Sequence, residues 1–181
     1  MRYFRPNTPR PVGRRMMPTR IVVLLGVLSC ATTASGRAQD SQTAEQRAVV
    51  ETAERLLGAL SRRDTAVVRA IMAPGSRLFS VLSGSSAASL RSQTDSAFVA
   101  SLAAGSDRLL ERMWTPTVLV RGQIASVWTP YDFHINGTFS HCGVDHFSLI
   151  QPQGAWRVVS LSYSVERTGC SPSPLGPPKS P

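Results

Sequence analysis

Scarcity shapes the first reading of this chain. Among 181 residues there is one lysine, Lys179, against 19 arginines, and charged residues make up only 17% of the total. Three cysteines and three histidines are too few for a metal-rich or disulfide-dense scaffold, and no spacing among them is diagnostic of a metal site. No cofactor is expected. No apolar run approaches the roughly 20 residues that a membrane-spanning helix needs. Internal repeats and low-complexity domains are absent. What remains is 42% hydrophobic residues in a length suited to one globular domain.

Acidic residues are absent from residues 1–38, which hold seven arginines. The formal net charge of +9 would suit nucleic acid or an anionic surface, but this leader is its source. Beyond residue 38 there are 13 basic against 11 acidic residues, a net charge of +2. A near-neutral domain disfavours a nucleic-acid partner. The preference for arginine over lysine reads as genome composition. The leader has a basic start, a short apolar run at residues 21–28 and small residues at 31–38 ending in Gly36-Arg37-Ala38. These are the parts of a secretory signal peptide, giving a mature, exported chain, periplasmic or secreted, from Gln39. Met16 and Met17 are alternative starts. Val27-Leu28-Ser29-Cys30 offers a competing lipoprotein reading with Cys30 as the lipidated residue, and Arg14-Arg15 a twin-arginine one.

Export places the domain where disulfides persist. Two cysteines remain beyond the leader, Cys142 and Cys170, and an even pair favours a bridge. The alternative is one buried thiol and one exposed thiol near the tail.

The pattern of elements is helix-rich first and strand-rich later. Ala48, Val49, Thr52, Ala53, Leu56, Leu57 and Leu60 form one apolar stripe at helical spacing. Thr43 and Gln46 fit a capping box before it. Asp64 suits the cap of a short second helix over residues 65–72, which Pro74-Gly75 ends. Residues 77–82 read as a strand and 83–92 as a polar Gly/Ser-rich loop. A third helix spans residues 95–104, with Thr94 as cap, Gly105 as stop, and Phe98 and Leu102 on its buried side. Residues 110–121 form a strand interrupted at Thr115-Pro116, because proline cannot donate to a central ladder. Residues 124–165 form long antiparallel strands. Residues 171–181 are proline-rich and expected to be extended and disordered. The expected domains are a leader at 1–38, a folded domain at 39–170 and this tail. Helices followed by strands argue for an α+β fold, with about three helices against one face of a curved antiparallel sheet.

Asn136-Gly137 between two alternating segments is the strongest short-range hairpin signal available. The same residues with Thr138 match a glycosylation acceptor, but the turn needs Asn-Gly for its positive φ angles. A two-residue turn there sets Asp132 opposite His141 and Trp128 opposite Asp145. One face then combines apolar walls (Trp128, Phe147, Leu149, Trp156) with convergent polar groups (Asp132, His141, Asp145, Ser160, Ser162). That mixture suits a small-molecule pocket. Asp132 beside His141 reads either as a general base with its orienting carboxylate or as a structural cross-strand pair. The opposite face carries Val127, Tyr131, Phe133, Val159, Leu161 and Tyr163. A register slip of one residue would exchange the two faces.

Residues 44–166 resemble the nuclear transport factor 2-like superfamily, in the bacterial branch with SnoaL-like proteins and ketosteroid isomerase. The resemblance rests on the long first helix, Arg63-Asp64 before the second, the strand at 77–82 and the closing Gly154-Ala155-Trp156-Arg157-Val158-Val159. Tyr131-Asp132-Phe133-His134 and His141-Cys142-Gly143-Val144-Asp145 are similar to exported members. The resemblance implies a cone of curved sheet closed by three helices, a deep pocket and homodimers packed through the sheet. Ketosteroid isomerase uses a tyrosine on the first helix, an aspartate base on an early strand and a protonated aspartate on a later strand. Here the first helix has no Tyr and residues 77–82 have no carboxylate, while Asp132 or Asp145 takes a position like the later carboxylate.

Three functions follow as expectations. The first is a binder of a small apolar or aromatic molecule, with Trp128, Phe147 and Trp156 as walls and Asp145, Ser160 and Ser162 among its polar contacts. The second is an isomerase-, dehydratase- or hydrolase-type enzyme using Asp132 and His141. The third is a dimerising scaffold without catalysis.

Overall fold

The computed structural model describes residues 42–82 and 89–178. The expected leader therefore lies outside the described residues, as do most of the Gly/Ser-rich loop and the last three residues. Two helices open the domain: α1 (Ala44–Arg62) and α2 (Thr65–Ile71). The strand β1 (Met72–Leu82) pairs with β2 (Ser89–Thr94), and α3 (Asp95–Ala104) follows. Five strands complete the domain: β3 (Leu109–Met113), β4 (Thr117–Arg121), β5 (Ile124–Ile135), β6 (Thr138–Ile150) and β7 (Arg157–Val165).

Each helix begins where its sequence supplies a cap. Thr43 and Gln46 form the reciprocal capping box of α1. The Asp64 side chain accepts from Val67 N at 3.0 Å to start α2, and the Thr94 hydroxyl accepts from Ala97 N at 3.2 Å to start α3. Val49, Ala53, Leu56 and Leu57 of α1 are buried against the sheet, joined by Val68 and Ile71 of α2 and Val99 and Leu102 of α3. Fully buried Val127, Phe147, Leu149 and Val158 answer them from the strands. Each such side chain contributes about 1.5–3 kcal/mol through its burial.

The seven strands form one sheet in the order β2-β1-β7-β6-β5-β3, with β4 pairing the other end of β5 beyond β3. The sheet is mixed and not wholly antiparallel as expected: β1 and β7 run parallel. The first strand enters beside the last and in its direction. The break at Thr115-Pro116 divides β3 from β4 as the proline requires, with Thr115 at φ 44°. Residues 89–92, read from sequence as the end of a loop, belong to β2, which pairs with β1 as a polar, largely exposed edge strand.

The Asn136-Gly137 turn is present, with φ 53° and 83° and Ile135 opposite Thr138. His134 faces Phe139, and then the register shifts: Phe133 faces His141, Asp132 faces Cys142 and Trp128 faces His146. Ser140 is the extra residue of this bulge. A second irregularity, at Ser148/Leu149 against β7, falls at Val159. The two bulges sort the side chains differently from an unbroken ladder. The inner face, toward the helices, carries Val127, Thr129, Tyr131, Phe133, His141, Asp145, Phe147, Leu161 and Tyr163. The outer face carries Ser126, Trp128, Asp132, His146, Ser160 and Ser162. The set expected to face outward toward a partner (Val127, Tyr131, Phe133, Leu161, Tyr163) thus points inward.

Cys142 and Cys170 form a disulfide with their Cα atoms 6.0 Å apart. It closes a loop with a sequence separation of 28, which contributes about 3.5 kcal/mol on the chain-entropy model. Residues 171–178 hold no helix or strand; the Gly176 N–H donates to Ser173 O at 3.1 Å in the one turn there.

Candidate functional site

A cavity of about 620 Å³ opens between α1, α3 and the inner face of the sheet. Leu56, Leu57 and Leu60 of α1 and Phe98 of α3 form its helical wall. Leu78, Leu109, Phe133, Ile135 and Leu161 form most of its apolar sheet wall. Tyr131 and Tyr163 stand edge to face with ring centroids 6.5 Å apart, and the His141 ring stacks on Phe133 at 4.9 Å.

Gly143 explains how Tyr131 is held. It sits opposite Tyr131 on the neighbouring strand. A Cβ at residue 143 would lie 2.2 Å from Ser164 O. That carbonyl accepts the Tyr131 hydroxyl at 2.7 Å, while the Ser164 hydroxyl oxygen accepts from Val144 N at 3.0 Å in its place. The ladder opens locally, and its freed carbonyl anchors the phenol. Burial, with the nearby Glu111 and Asp145 carboxylates, pushes the Tyr131 phenol well up, so it stays a donor.

A pair of carboxyl groups stands on the cavity side of the sheet. Glu111 lines the cavity from β3, and Asp145 from β6 is fully buried beside it, outside the lining. The two groups face each other within hydrogen-bonding reach. Neither oxygen of Asp145 receives an N–H or O–H from any other described residue. A buried carboxylate without a donor is costly, so the pair holds a proton between its members. Burial raises both groups. Glu111 is pushed up to about 7 with the Asp132 charge contributing, and Asp145 is raised well above the usual carboxylate range. Two like charges in one dry site cannot both ionise near neutrality.

Of the other polar groups, Tyr163 is raised by burial, partly offset by the nearby Ser80 hydroxyl. His141 lies toward the opening with Arg91 and Arg167. Burial, and then the Arg167 charge, lowers the His141 pKa, so the ring is neutral at pH 7.

The bulge separates the residues that an unbroken register would have joined. Asp132 and His141 lie on opposite faces of the sheet, because Ser140 shifts every later residue of β6 by one place. Asp132 is buried on the outer face, gripped by Arg112 Nε at 2.9 Å and Nη2 at 2.5 Å, with His134 Nε2 at 3.5 Å. Burial alone would raise it, but the Arg112 hydrogen bonds and charge hold it below the usual range. Trp128 is 55% exposed on the outer face, stacked obliquely with His146. Ser160 and Ser162 also face outward. Phe147 and Trp156 belong to the core and do not line the cavity. Asp145 and His141 stand on the cavity side. Glu111 was not singled out from sequence, although Leu109-x-Glu111-x-Met113 places a carboxylate on the apolar face of a short strand. Among the described residues no group of three or more His, Cys, Asp or Glu is disposed to hold a metal, and no helix is long and apolar enough to cross a membrane.

No family model matches the sequence, and no curated protein does. Solved structures do match. An NTF2-like protein from Cytophaga hutchinsonii superposes with a TM-score of 0.57 and 13% identity, over 68% of this chain and 99% of that one. A protein of unknown function with a cystatin-like fold from Nostoc punctiforme gives 0.56 at 11% identity, over 70% and 95%. A candidate dehydratase of the NTF2-like family from Streptomyces avermitilis gives 0.53 at 16% identity, over 67% and 95%. These likenesses do not single out the SnoaL-like or ketosteroid isomerase branch. They agree with the element order, the mixed sheet and the helix-covered inner face: the chain has the nuclear transport factor 2-like fold.

Proposed function

We propose that this protein is exported and binds a small molecule with an apolar or aromatic body in the cavity beneath α1. One observation carries the reading. A cavity of about 620 Å³ has mainly aliphatic and aromatic walls and is lined by the carboxyl group of Glu111, beside which Asp145 is buried with no hydrogen-bond donor among the described residues. Such a site offers apolar contact plus a few convergent polar groups, which is the usual make-up of a ligand pocket. The disulfide is compatible with export. The test is native mass spectrometry of the protein purified from its own envelope. A retained small molecule is expected, and Leu60→Trp, which fills the cavity, abolishes its retention. Retention unchanged by Leu60→Trp would refute the cavity as the site.

A second reading is favoured by the raised Glu111. A carboxyl group poised near 7 is matched to proton transfer at neutral pH. In this reading Glu111 accepts and returns a proton beside a carbonyl of the bound molecule, and the Tyr163 hydroxyl orients it. Exchange of α-hydrogens of a bound ketone with D2O measures this step. Glu111→Gln is expected to slow it by about 100-fold, and exchange equal in both proteins removes the reading.

Self-association through the sheet is also part of the proposal. The outer face exposes Leu119, Ile124 and Trp128, at 68%, 65% and 55%. Sedimentation should find a dimer that Trp128→Ser weakens.

A further inference from the structure

The cavity sorts its polar residues by sign. Its acidic end is Glu111, with Asp145 buried beside that residue. Its opening holds two guanidinium groups, Arg91 on β2 and Arg167 just past the Cys142–Glu166 bridge that closes β6 against the chain after β7. Both arginines are exposed and both line the cavity. Among the described residues neither has an acidic partner; the ion pairs there are those of Asp132 with Arg112 and His134. The acid next in chain, Glu166, accepts a hydrogen bond from the Ser164 hydroxyl at 3.2 Å. Ser140 and Gln93 add neutral hydrogen-bonding groups to the lining, and the Ser140 hydroxyl lies 3.0 Å from His141 Nδ1. Between the two ends run Leu57, Phe98, Phe133 and Leu161.

We propose that the natural ligand is an amphiphilic organic anion, with an apolar or aromatic body in the cavity and its carboxylate or sulfonate held at the opening by Arg91 and Arg167. The proposal rests on the cavity being a binding site, and adds ligand class and orientation. The reverse orientation would bring an anion against Glu111, which ionises near neutrality with Asp145 buried beside it, and like charges repel. The proposed orientation leaves the neutral end of the ligand at Glu111. Guanidinium groups suit the head chemically, since their planar fork matches a carboxylate in bidentate geometry.

Two probes separate these statements: 2-naphthoate and its uncharged counterpart 2-naphthamide, titrated calorimetrically at pH 7.5. In the native protein 2-naphthoate is expected to bind about tenfold more tightly. In Arg91→Gln/Arg167→Gln the ratio falls to about one while 2-naphthamide affinity is unchanged, and raised salt reduces the ratio in the native protein only. Equal affinities in the native protein, or a ratio that survives both substitutions, overturn the anion proposal and leave the cavity standing. Affinities untouched by Leu60→Trp, or no binding of either probe, overturn the cavity reading as well. Both arginines are at the surface, and circular dichroism of the double variant confirms that the fold is intact.

Discussion

Asp132 and Asp145 lie thirteen positions apart, on adjacent strands and opposite faces of one sheet, and they meet opposite fates. Asp132 on the outer face is buried, but Arg112 supplies two hydrogen bonds and a charge, so its pKa lies below the ordinary value. Asp145 on the inner face is buried with only another carboxyl group for company, so it stays protonated well above the ordinary range. Burial is common to both. The partner decides the charge, and the face decides the partner. The outer aspartate therefore builds structure, and the inner one is buried beside Glu111, the carboxyl group that lines the cavity.

Breaking the outer partnership should cost most. Asp132→Ala removes a buried carboxylate and leaves the partly exposed Arg112 guanidinium without its partner, and a loss of about 3.5–4 kcal/mol is expected in denaturant unfolding. Reduction of the Cys142–Cys170 bridge comes next, at about 3.5 kcal/mol on the chain-entropy model, read as a shift of the urea midpoint with and without reductant.

The pH dependence divides along the same line. Asp132 has a lowered folded pKa. Its contribution is present above its ordinary value near 3.8 and is lost as pH falls through the folded value. Glu111 is raised from 4.5 to about 7. The folded state then holds a proton that the unfolded state has released, so stability falls as pH climbs across that window, by about 3 kcal/mol. Glu111→Gln should flatten this alkaline limb and leave the acid limb intact. Asp145→Asn sharpens the contrast with Asp132: it is expected to change stability by less than about 1 kcal/mol at pH 5 and to stabilise at pH 8, since it replaces a carboxyl group the site must keep neutral. The smallest effect falls on the outer surface, where Trp128→Ser should alter the stability of a single copy by no more than about 0.5 kcal/mol.

The fold was legible because its signals are local. Thr43/Gln46, Asp64 and Thr94 are caps, Asn136-Gly137 is a turn, and the α1 stripe has helical spacing; each needs only a few neighbouring residues. The edge strand β2 escaped because Ser, Arg, Gln and Thr on an exposed edge carry no alternating apolar pattern. The site was legible only in part. Asp145 and His141 do stand on the cavity side, yet the Asp132–His141 pairing dissolves at Ser140, because a bulge inserts one residue without any strong mark in composition and reverses the faces of everything after it. Glu111 was hidden for another reason. Its partner lies 34 positions further along the chain, two strands away, and only the closed sheet brings them together.

A titration of the side-chain carboxyl carbons by 13C NMR bears most directly on the shared proton of Glu111 and Asp145. The expected result is a transition of the pair near pH 7, Asp145 still protonated where exposed aspartates have ionised, and a lowered Asp145 in Glu111→Gln. Glu111 and Asp145 both ionising near their ordinary values of 4.5 and 3.8, independently of one another, would contradict it.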